Sequence, residues 1–386
     1  MTRILVIGGG IAGTASALAL HKAGFDVAVY EAHSDTAEDI GAFLTLASNG
    51  MRALGQLDAT AAVTAIGFPL TSIRLLDEQG AEAAHAPMGE AKDPLLNFRC
   101  LRRGELNAAL QAEAVRRGIE LRHGARLSRL VNGQDGVTAH FADGTTATGD
   151  LLLGADGLNS TVREVVSPGT RPEYAGQRVF YGYTTGVAPI GESDCITMIR
   201  GSKVAFGCAV SPDGESYWFA RVGGDPLSAA EIAEGTAAHW RDLLLPLLGE
   251  DKTPAADIVA ATTGHVMVTN ATELPLGIPW RSGRALLLGD AAHAASPATG
   301  QGASMALEDA VVLAKCLRDL PDVDAAVAHY EALRRDRVEQ NIATSGAISR
   351  GTYAPSDSAG RPTGKTRPGD DTLVELLDWE ADIKEL

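Results

Sequence analysis

The segment that decides the fold lies at the start of the chain, where residues 3–31 read RILVIGGGIAGTASALALHKAGFDVAVYE. A short apolar run at residues 4–7 leads into three glycines, and an Ala- and Leu-rich segment of helical character follows as far as Lys22. Gly24 then precedes a second apolar run at residues 27–30, which Glu31 closes. This order predicts a strand, a glycine turn, a helix and a second strand.

The glycines of this segment suit a particular class of ligand. Gly8 permits a tight turn after the strand, Gly10 lets backbone N–H groups approach a pyrophosphate, and Gly13 allows the helix to pack closely on the sheet. The positive end of the helix would face the phosphates. Glu31 can accept hydrogen bonds from a ribose 2′-OH and would repel a 2′-phosphate. The segment therefore predicts FAD or NAD rather than NADP, in preference to a glycine turn that binds nothing.

Composition excludes several classes of function. The 386 residues carry a formal net charge of -16 and a pI near 5.0, so the phosphates of a nucleic acid would be repelled. The four cysteines are scattered and no pair has CxxC spacing, which argues against structural zinc, an iron–sulfur cluster and a redox disulfide. We predict no nucleic-acid partner and no metal site.

The chain begins directly in the first predicted strand, without the basic and apolar regions of a secretion signal. No apolar run approaches the roughly 20 residues that span a bilayer. The expectation is a soluble, cytoplasmic protein with no membrane partner.

Later segments indicate a second domain inserted into the first. Three short strand candidates at residues 127–147 form a meander, and residues 73–85 resemble a hairpin. Residues 178–268 are mostly strand-like, with one helix predicted at 229–245, before Pro246. The buried parallel-strand pattern returns at residues 285–290, so the first domain is discontinuous in sequence.

The C-terminal part is predicted to be helical. Long helices are expected at residues 302–320 and 323–337. Residues 356–371 are rich in Pro, Gly, Ser and Thr and are expected to form a mobile linker. A helical pattern at residues 372–386 is expected to dock on the body and cap the core, with sealing of the site and contact with a partner as the alternatives.

Two further motifs follow Leu-rich strands. The first is GADGLNSTVR at residues 154–163, and the second is GDAAH at residues 289–293, followed by Pro297 and Gly300-Gln301-Gly302. Taken singly, Asp156 and Asp290 are more often turn or helix-capping residues than ligand contacts. Their place at the carboxyl ends of predicted parallel strands, where nucleotides bind, makes them site candidates.

With these three motifs in this order, the chain resembles the flavoprotein monooxygenases of the para-hydroxybenzoate hydroxylase family. The resemblance extends to about residue 337. It implies FAD as cofactor and NAD(P)H as electron donor, with O2 adding to the flavin to form a C4a-hydroperoxide that hydroxylates a small electron-rich molecule. The substrate would be phenolic, enolic or N-heterocyclic.

The implied fold is α/β, with a discontinuous Rossmann-like FAD-binding domain, a mostly antiparallel substrate domain and C-terminal helices. The FAD-binding domain is expected at 1–70, 98–172 and 266–345, the substrate domain at 71–97 and 173–265, and the linker with its helix at 346–386. The absence of a second GxGxxG segment agrees with this family, which has no separate Rossmann domain for the nicotinamide nucleotide.

The resemblance also assigns residues to the cofactor. Asp290 would bind the ribityl hydroxyls, Arg103 would lie near the pyrophosphate, and the helix that starts at Gly302 could direct its positive end at the flavin N1–C2=O edge. The predicted cofactor-binding residues are Gly8, Gly10, Ile11, Ala12, Gly13, Glu31, Ala32, Arg103, Asp156, Gly289, Asp290, Pro297, Gly300, Gln301 and Gly302.

Substrate contacts are less determined by the sequence. Tyr217, Phe219 and Arg221 share one face of a predicted strand, and Trp218 points the other way. Arg200, Tyr217 and Arg221 are the substrate-binding candidates, with Tyr181 and Tyr183 as similar possibilities. Core aromatics and a solvated arginine are an equally good interpretation, and no catalytic residue is assigned; His293 is expected to form structural hydrogen bonds.

Two other functions agree with the same motifs. An FAD-dependent reductase or dehydrogenase would transfer electrons without inserting oxygen, and a silent flavoprotein would bind FAD without turnover. The choice of NADH or NADPH and the oligomeric state, monomer or homodimer, are not determined by the sequence.

Overall fold

A computed structural model describes residues 2–36, 41–90, 93–133, 136–188, 190–352 and 370–385. The strands in these ranges are β1 (Arg3–Ile7), β2 (Asp26–Tyr30), β3 (Phe43–Leu46), β4 (Phe68–Leu70), β5 (Ser72–Leu76), β6 (Glu82–Pro87), β7 (Phe98–Arg102), β8 (Glu120–Arg122), β9 (Leu127–Asn132), β10 (Val137–Phe141), β11 (Thr146–Gly149), β12 (Leu151–Gly154), β13 (Glu173–Thr184), β14 (Cys195–Arg200), β15 (Val204–Val210), β16 (Ser216–Gly223), β17 (Met267–Glu273), β18 (Arg281–Ser282) and β19 (Ala285–Leu287). The α-helices are α1 (Ile11–Lys22), α2 (Ser48–Gln56), α3 (Thr60–Thr64), α4 (Arg103–Arg116), α5 (Thr161–Val166), α6 (Ala229–Glu234), α7 (Ala237–Leu248), α8 (Ala255–Ala261), α9 (Asp290–His293), α10 (Gly302–Asp319), α11 (Val323–Ser349) and α12 (Asp370–Leu377). Short 3-10 helices span Pro94–Leu96, Pro297–Thr299 and Ile383–Glu385.

A six-stranded sheet in the order β18-β19-β12-β1-β2-β8 forms the centre of the molecule. Its strands are parallel except β18, which pairs antiparallel with β19. Helices α1, α4 and α10 pack together on this sheet, and the meander β9–β11 packs on it through a stack of Phe141 on Tyr30. Covered on both faces, β1, β12 and β19 are continuous apolar runs rather than alternating ones. The α/β class is confirmed.

A seven-stranded sheet in the order β17-β13-β16-β15-β14-β5-β6 forms the second layer. All its pairings are antiparallel except that of β5 with β14. The hairpin predicted at residues 73–85 is present as β5 and β6 and extends this sheet. One face of the sheet holds a separate core around Trp218, Phe206 and Trp240, beneath α7 and α8.

A three-stranded sheet in the order β3-β7-β4 was not predicted from the sequence. Its strands have only three to five residues, too few to show a clear period. Phe43 and Phe98 in this sheet pack in one apolar cluster with Tyr217 and Phe219 of β16. The small sheet thereby supports the aromatic face of the seven-stranded sheet.

The helix predicted at 229–245 is wrong in detail, because two helices, α6 and α7, occupy the region. Gly235 lies between them under the Trp240 ring, where a Cβ would come within 1.9 Å of Cζ2. Thr236 starts α7 by accepting the His239 N–H with its side chain, and Pro246 is tolerated in the last turns of α7. Helix α11 is also longer than predicted, ending at Ser349 rather than 337. Nearly all of the linker predicted at 356–371 lies outside the described residues.

The C-terminal segment docks on the body beside α1, α2 and α10. Lys315 donates to the Leu376 carbonyl at 2.8 Å, and Arg318 donates to the Trp379 carbonyl at 2.7 Å. The Trp379 ring contacts two cations, Lys22 at 4.9 Å and Arg318 at 5.0 Å from its centroid. The helix ends at Leu377, earlier than the predicted pattern. Within the described ranges no helix is long and apolar enough to cross a membrane.

Replacing Trp379 by leucine is expected to lower the free energy of unfolding by about 1–2 kcal/mol, because the apolar contact is kept in part while two cation–π contacts of about 0.5–1 kcal/mol each are lost. Denaturant unfolding would measure the change. Trp379→Phe retains the ring and should cost less, and equal losses in the two variants would contradict a contribution from the cations.

Candidate functional site

The three sequence motifs meet at one edge of the parallel sheet. Strands β1, β12 and β19 are neighbours, and the motifs follow their carboxyl ends at Gly8, Gly154 and Gly289. A Cβ on Gly289, which has φ of +55°, would lie 2.7 Å from Cβ of Ala12. Segments far apart in sequence thus come into contact at the start of α1.

Close backbone approach explains two of the glycines. A Cβ on Gly8, at φ of +104°, would lie 2.4 Å from the Ala155 carbonyl oxygen, and one on Gly13 would lie 1.9 Å from the Gly8 carbonyl oxygen. Gly10 differs, because a Cβ there would meet no atom within 4 Å. Gly8 and Gly13 are therefore required by packing, whereas Gly10 leaves space open beside the start of α1.

A cavity of about 760 Å³ extends from these motifs to the seven-stranded sheet. Its wall includes the first residues of α1 and α10, among them Ile11, Ala12, Gly302 and Ala303. Neither helix has a side-chain cap at its N-terminus. The first N–H groups of an α-helix have no partner within the helix, so both termini offer N–H donors and a positive dipole end to the cavity.

Glu31 is buried and holds the glycine turn. Its carboxylate accepts the Gly9 N–H at 2.6 Å and the His33 N–H at 2.7 Å, and it follows the end of β2, next to Ala32. Gln111 of α4 donates to the Gly9 carbonyl at 2.7 Å from a buried position. Each carboxylate oxygen keeps one lone pair that a hydroxyl can use. Sequence reasoning missed Gln111, since a single polar residue in a helix carries no pattern.

Asp156 lies at the start of α5, where its carboxylate caps the helix. It accepts the Ser160 hydroxyl at 2.5 Å, the Thr161 N–H at 2.7 Å and the Val162 N–H at 3.1 Å. Burial raises the pKa of this carboxyl, although these hydrogen bonds oppose the shift. The side chain is therefore occupied by the protein, while Gly157 of the same motif lines the cavity.

Asp290, unlike Asp156, has a carboxylate that is free to bind a ligand. Its carboxylate is exposed to the cavity, makes no hydrogen bond or ion pair to any described residue, and has Oδ1 4.0 Å from where a Cβ of Gly302 would be. Arg103 is also exposed, lines the cavity and has no carboxylate partner within the described ranges. A carboxylate near the start of α10 and a guanidinium thus face the same cavity.

Pro297, Gly300 and Gln301 form the turn that leads into α10, and all three line the cavity. Gly300 adopts the left-handed conformation with φ of +66°. The C-terminal half of α11 holds this turn, because Ser345 donates to the Ser296 carbonyl. Asn341 accepts the Thr299 hydroxyl at 2.9 Å.

A buried ion network fixes α10 behind the site. Arg334 of α11 donates to Glu308 at 2.6 Å and to Asp309 at 2.8 Å, and all three side chains are at most 1% exposed. His293 approaches Asp309 at 2.5 Å and packs against Trp280, outside the cavity wall. The network had no signal in the sequence, because its members come from three separate segments.

The substrate-binding candidates lie in different places. Arg221 lines the cavity together with Phe219 and Tyr181, while Trp218 points to the opposite core, as the alternation predicted. Tyr217 lies behind this wall, where its ring meets that of Phe43. The structure brings Arg221 and Tyr181 to the cavity but does not bring Tyr217 into its wall.

The remaining candidates are outside the wall. Tyr183 stacks under the Arg102 guanidinium, 4.1 Å from the ring centroid, and Arg102 pairs with Glu215 at 2.8 Å. Arg200 continues the face of Met198 at the end of β14, beyond the rim of the cavity, and is exposed.

The part of the cavity lined by the seven-stranded sheet, here called the substrate half, contains desolvated polar side chains, and the part lined by the three motifs is the cofactor half. Burial raises the pKa of Tyr181 to about 12, although the cations Arg221 and Arg103 oppose the shift. Burial also lowers the pKa of Arg221. A tyrosine that titrates so high stays protonated near neutral pH, and it can donate a hydrogen bond but does not act as a base.

These residues fit FAD. The uncapped start of α1 and the open space at Gly10 suit a pyrophosphate, the lone pairs of Glu31 suit a ribose, and the unpartnered Asp290 suits a polyol chain. The uncapped start of α10 suits an electron-rich edge of a ring. No group of three or more metal-ligating side chains occurs within the ranges described above.

Comparison with known proteins gives a family match over most of the chain. A family described as "FAD binding domain" matches residues 1–345. Aurachin C monooxygenase/isomerase of Stigmatella aurantiaca is 32% identical over 354 residues, which are 89% of this chain and 87% of the relative. FAD-dependent urate hydroxylase of Klebsiella pneumoniae is also 32% identical over 354 residues, covering 88% of each chain.

Solved structures agree in fold. The crystal structure of Klebsiella pneumoniae HpxO complexed with FAD and uric acid matches with a TM-score of 0.81 and 26% identity, over 98% of this chain and 96% of the other. CtdE in complex with FAD and a substrate matches with a TM-score of 0.82 at 20% identity, over 100% of this chain and 96% of that chain, and supports the fold alone.

Proposed function

This chain belongs to the FAD-binding domain family and is an FAD-dependent monooxygenase, and we propose that it uses NAD(P)H and O2 to hydroxylate an electron-rich small molecule. The substrate class is phenolic, enolic or N-heterocyclic. The resemblance to flavoprotein monooxygenases drawn from the three motifs is confirmed. The observation that carries the proposal is the single cavity wall shared by the cofactor motifs and the aromatic face of the seven-stranded sheet.

Side chains and backbone groups of this chain bind each part of the cofactor. The N–H groups at the start of α1 bind the pyrophosphate, Glu31 and Ala32 bind the adenosine ribose, and Asp290 accepts the ribityl hydroxyls. Arg103 neutralises phosphate charge at the cavity entrance. Asp156 acts indirectly, by capping α5 and fixing the Gly157 backbone.

The aromatic wall of the cavity orients the substrate and excludes water. FAD supplies electron storage and activation of O2, so that one oxygen atom enters the product and the other leaves as water while NAD(P)H is oxidised. Phe43, Phe219 and Tyr181 place the substrate ring against the cofactor and keep bulk water away. The N-terminus of α10 stabilises negative charge on the adjacent ring edge.

The chain is divided into two domains and a C-terminal extension. The cofactor-binding domain comprises 1–70, 98–172 and 266–345, and the substrate domain comprises 71–97 and 173–265, with residues 346–386 as linker and terminal helix. The protein acts in the cytoplasm as a monomer or homodimer.

The test is oxidation of NADPH and of NADH by purified, FAD-loaded protein in air, across a panel of phenols, enols and N-heterocycles. Stimulated oxidation with a product heavier by one oxygen atom, derived from isotopically labelled O2, is the expected result. Bound FAD with stimulated oxidation but only hydrogen peroxide as product would indicate a reductase. No stimulation by any compound with either nucleotide would favour a silent flavoprotein.

Asp290→Ala is expected to weaken FAD binding by about 10- to 100-fold, because a hydrogen bond to a charged group contributes about 1.5–3 kcal/mol. The unfolding midpoint of the apoprotein should not change, since Asp290 has no partner among the described residues. Flavin fluorescence titration measures the affinity. Asp213→Ala, on the exposed turn between β15 and β16, is the matched control and should leave the affinity unchanged.

A further inference from the structure

The substrate half of the cavity has an unusual balance of groups. Its wall is mainly apolar, with Phe43, Phe98, Ile196, Met198, Phe219 and Met267 among its members. Its polar side chains are the guanidinium of Arg221, the phenol hydroxyl of Tyr181 and the hydroxyls of Thr45 and Thr269. The carboxylate of the described wall, Asp290, belongs to the cofactor half, and no histidine lines the cavity in the described ranges.

Arg221 has no counter-ion in the protein. Its only hydrogen bond to a described residue is a long one of 3.4 Å to the Ala298 carbonyl, and its Nε is buried without a partner. The guanidinium lies over the Phe219 ring, 5.3 Å from the centroid. Burying a cation without pairing it is costly, so the arrangement costs stability unless a ligand supplies the anion.

Tyr181 lies on the same face of the sheet. It is directly opposite Phe219 in the pairing of β13 with β16, and Arg221 is the next residue of β16 on that face. Its side chain lines the cavity, and its hydroxyl makes no hydrogen bond to any described residue. The two groups therefore form a pair of donors, one charged and one neutral, within an apolar enclosure.

We propose that Arg221 and Tyr181 form the subsite for the ionised oxygen of a largely apolar aromatic or enolic substrate, which this protein binds as a preformed anion. The inference deepens the proposed function and rests on it. No carboxylate or imidazole of the described wall stands beside the subsite to remove a proton, so the pair selects the anion instead. An oxyanion on the ring also makes the ring carbons more nucleophilic, which is the property that a hydroxylation requires.

The apolar side chains of the wall place a second requirement on the substrate. A polar purine such as uric acid carries ring N–H and carbonyl groups around its whole edge, and the Phe, Met and Ile side chains of the wall offer them no partners. Besides Arg221 and Tyr181, this part of the wall offers the hydroxyls of Thr45 and Thr269. Desolvated polar groups without partners weaken binding. The expected ligand therefore has one anionic oxygen on an otherwise apolar ring system, and uric acid is disfavoured although a relative is a urate hydroxylase.

The test measures binding to the FAD-loaded protein without NAD(P)H, by perturbation of the flavin absorbance spectrum. The probes are 2-naphthol, 2-methoxynaphthalene and uric acid. We expect 2-naphthol to bind at least about 10-fold more tightly than uric acid, and its absorbance to show a lowered pKa when bound. Arg221, Arg103, Asp290 and Tyr181 are the charged and titratable groups of the described wall that face the cavity.

Arg221→Met should weaken 2-naphthol binding by about 10- to 100-fold, and restore the ordinary pKa of the bound naphthol, while binding of 2-methoxynaphthalene changes less than about 3-fold. Arg221→Lys should be intermediate. The unfolding midpoint of Arg221→Met should stay equal to that of the wild type or rise, because an unpaired buried cation is removed. Arg200→Met, outside the cavity, is the matched control and should change none of these values.

Three results would overturn the proposal. One is an equal loss of 2-naphthol and 2-methoxynaphthalene binding in Arg221→Met, and another is a fall in FAD affinity with unchanged naphthol selectivity, which would assign Arg221 to the cofactor. The third is tighter binding of uric acid than of 2-naphthol. Because no turnover is involved, naphtholate selectivity without any monooxygenase product would separate this subsite from a failure of the proposed function.

Discussion

Replacing Gly13 by alanine is expected to abolish FAD binding and to destabilise the FAD-binding sheet by more than about 3 kcal/mol. The added Cβ would lie 1.9 Å from the Gly8 carbonyl oxygen and 3.1 Å from Cγ1 of Val6. The nearest neighbour is backbone, so a rotamer change cannot relieve the contact. Overpacking that can relax costs about 1–3 kcal/mol, and this contact can relax only by moving α1 off β1.

Gly10→Ala provides a contrasting variant on the same turn. Its Cβ would meet no protein atom within 4 Å, and the φ of -73° is ordinary for alanine. The apoprotein should therefore keep its unfolding midpoint, while the methyl group occupies space at the start of α1 and weakens FAD binding. Gly264→Ala, whose Cβ would also meet no atom within 4 Å, is the control that should change neither property.

Flavin fluorescence titration and denaturant unfolding of the three apoproteins would separate packing from cofactor contact. Equal FAD affinity in Gly10→Ala and the wild type would contradict the placement of the pyrophosphate at this turn. A Gly13→Ala protein with wild-type stability would show that α1 can shift by more than its packing against the sheet suggests.

Local physics accounts for the parts of the fold that the sequence predicted well. The first two strands were expected within one residue of β1 and β2, and the end of the helix at Lys22 was correct, because glycine placement and apolar runs act over a few residues. The helix itself starts earlier than expected, at Ile11 within the glycine motif. The three motifs could also be placed at one sheet edge, since parallel strands bring their carboxyl ends together. Alternation along β16 correctly put Phe219 and Arg221 on one face and Trp218 on the other.

Non-local contacts account for the parts that were missed. The small sheet of β3, β4 and β7 exists because its short strands pair with each other and cover the aromatic cluster, which no local pattern reveals. Helix α11 continues to Ser349 because Ser345 and its neighbours are buried against the turn at Pro297, although small polar residues predict no helix.

The site residues also differ in whether a local pattern or only a non-local contact reveals their role. Arg221 and Arg200 looked alike in the sequence, and only the order of strands in the sheet separates a cavity residue from an exposed one. Gln111 and Arg334 act on partners more than 20 residues away, so their roles became visible only in three dimensions.

Replacing Arg334 by methionine is expected to lower the free energy of unfolding by about 3–5 kcal/mol at pH 7. The guanidinium is completely buried and pairs with both Glu308 and Asp309, so its removal leaves buried carboxylates undercompensated. Lys203→Met, which breaks the exposed pair with Glu250, should cost at most about 1 kcal/mol. Because Glu308 and Asp309 lie on α10, the Arg334 variant should also bind FAD less tightly.

The pH dependence of the free energy of unfolding gives a second signature of this ion network. Burial alone would raise the pKa of Asp309, but His293 and Arg334 outweigh it and lower this pKa to about 2, and the pKa of Glu308 is lowered as well. Since both lie below their unfolded values of about 4, the stability they contribute is present above about pH 4 and is lost as the pH falls toward 2. Without Arg334 the carboxyl pKa values rise, so the deficit of the variant should shrink between pH 7 and pH 5.

A double-mutant cycle decides whether charge or volume causes the loss. If undercompensated carboxylates dominate, Arg334→Met combined with Asp309→Asn should be more stable than the sum of the two single losses implies, by at least about 1 kcal/mol. If the lost volume dominates, the two losses should add and the deficit should not depend on pH. Additivity together with a flat pH profile would therefore rule out an electrostatic role for Arg334, and α10 would then be held in place by packing.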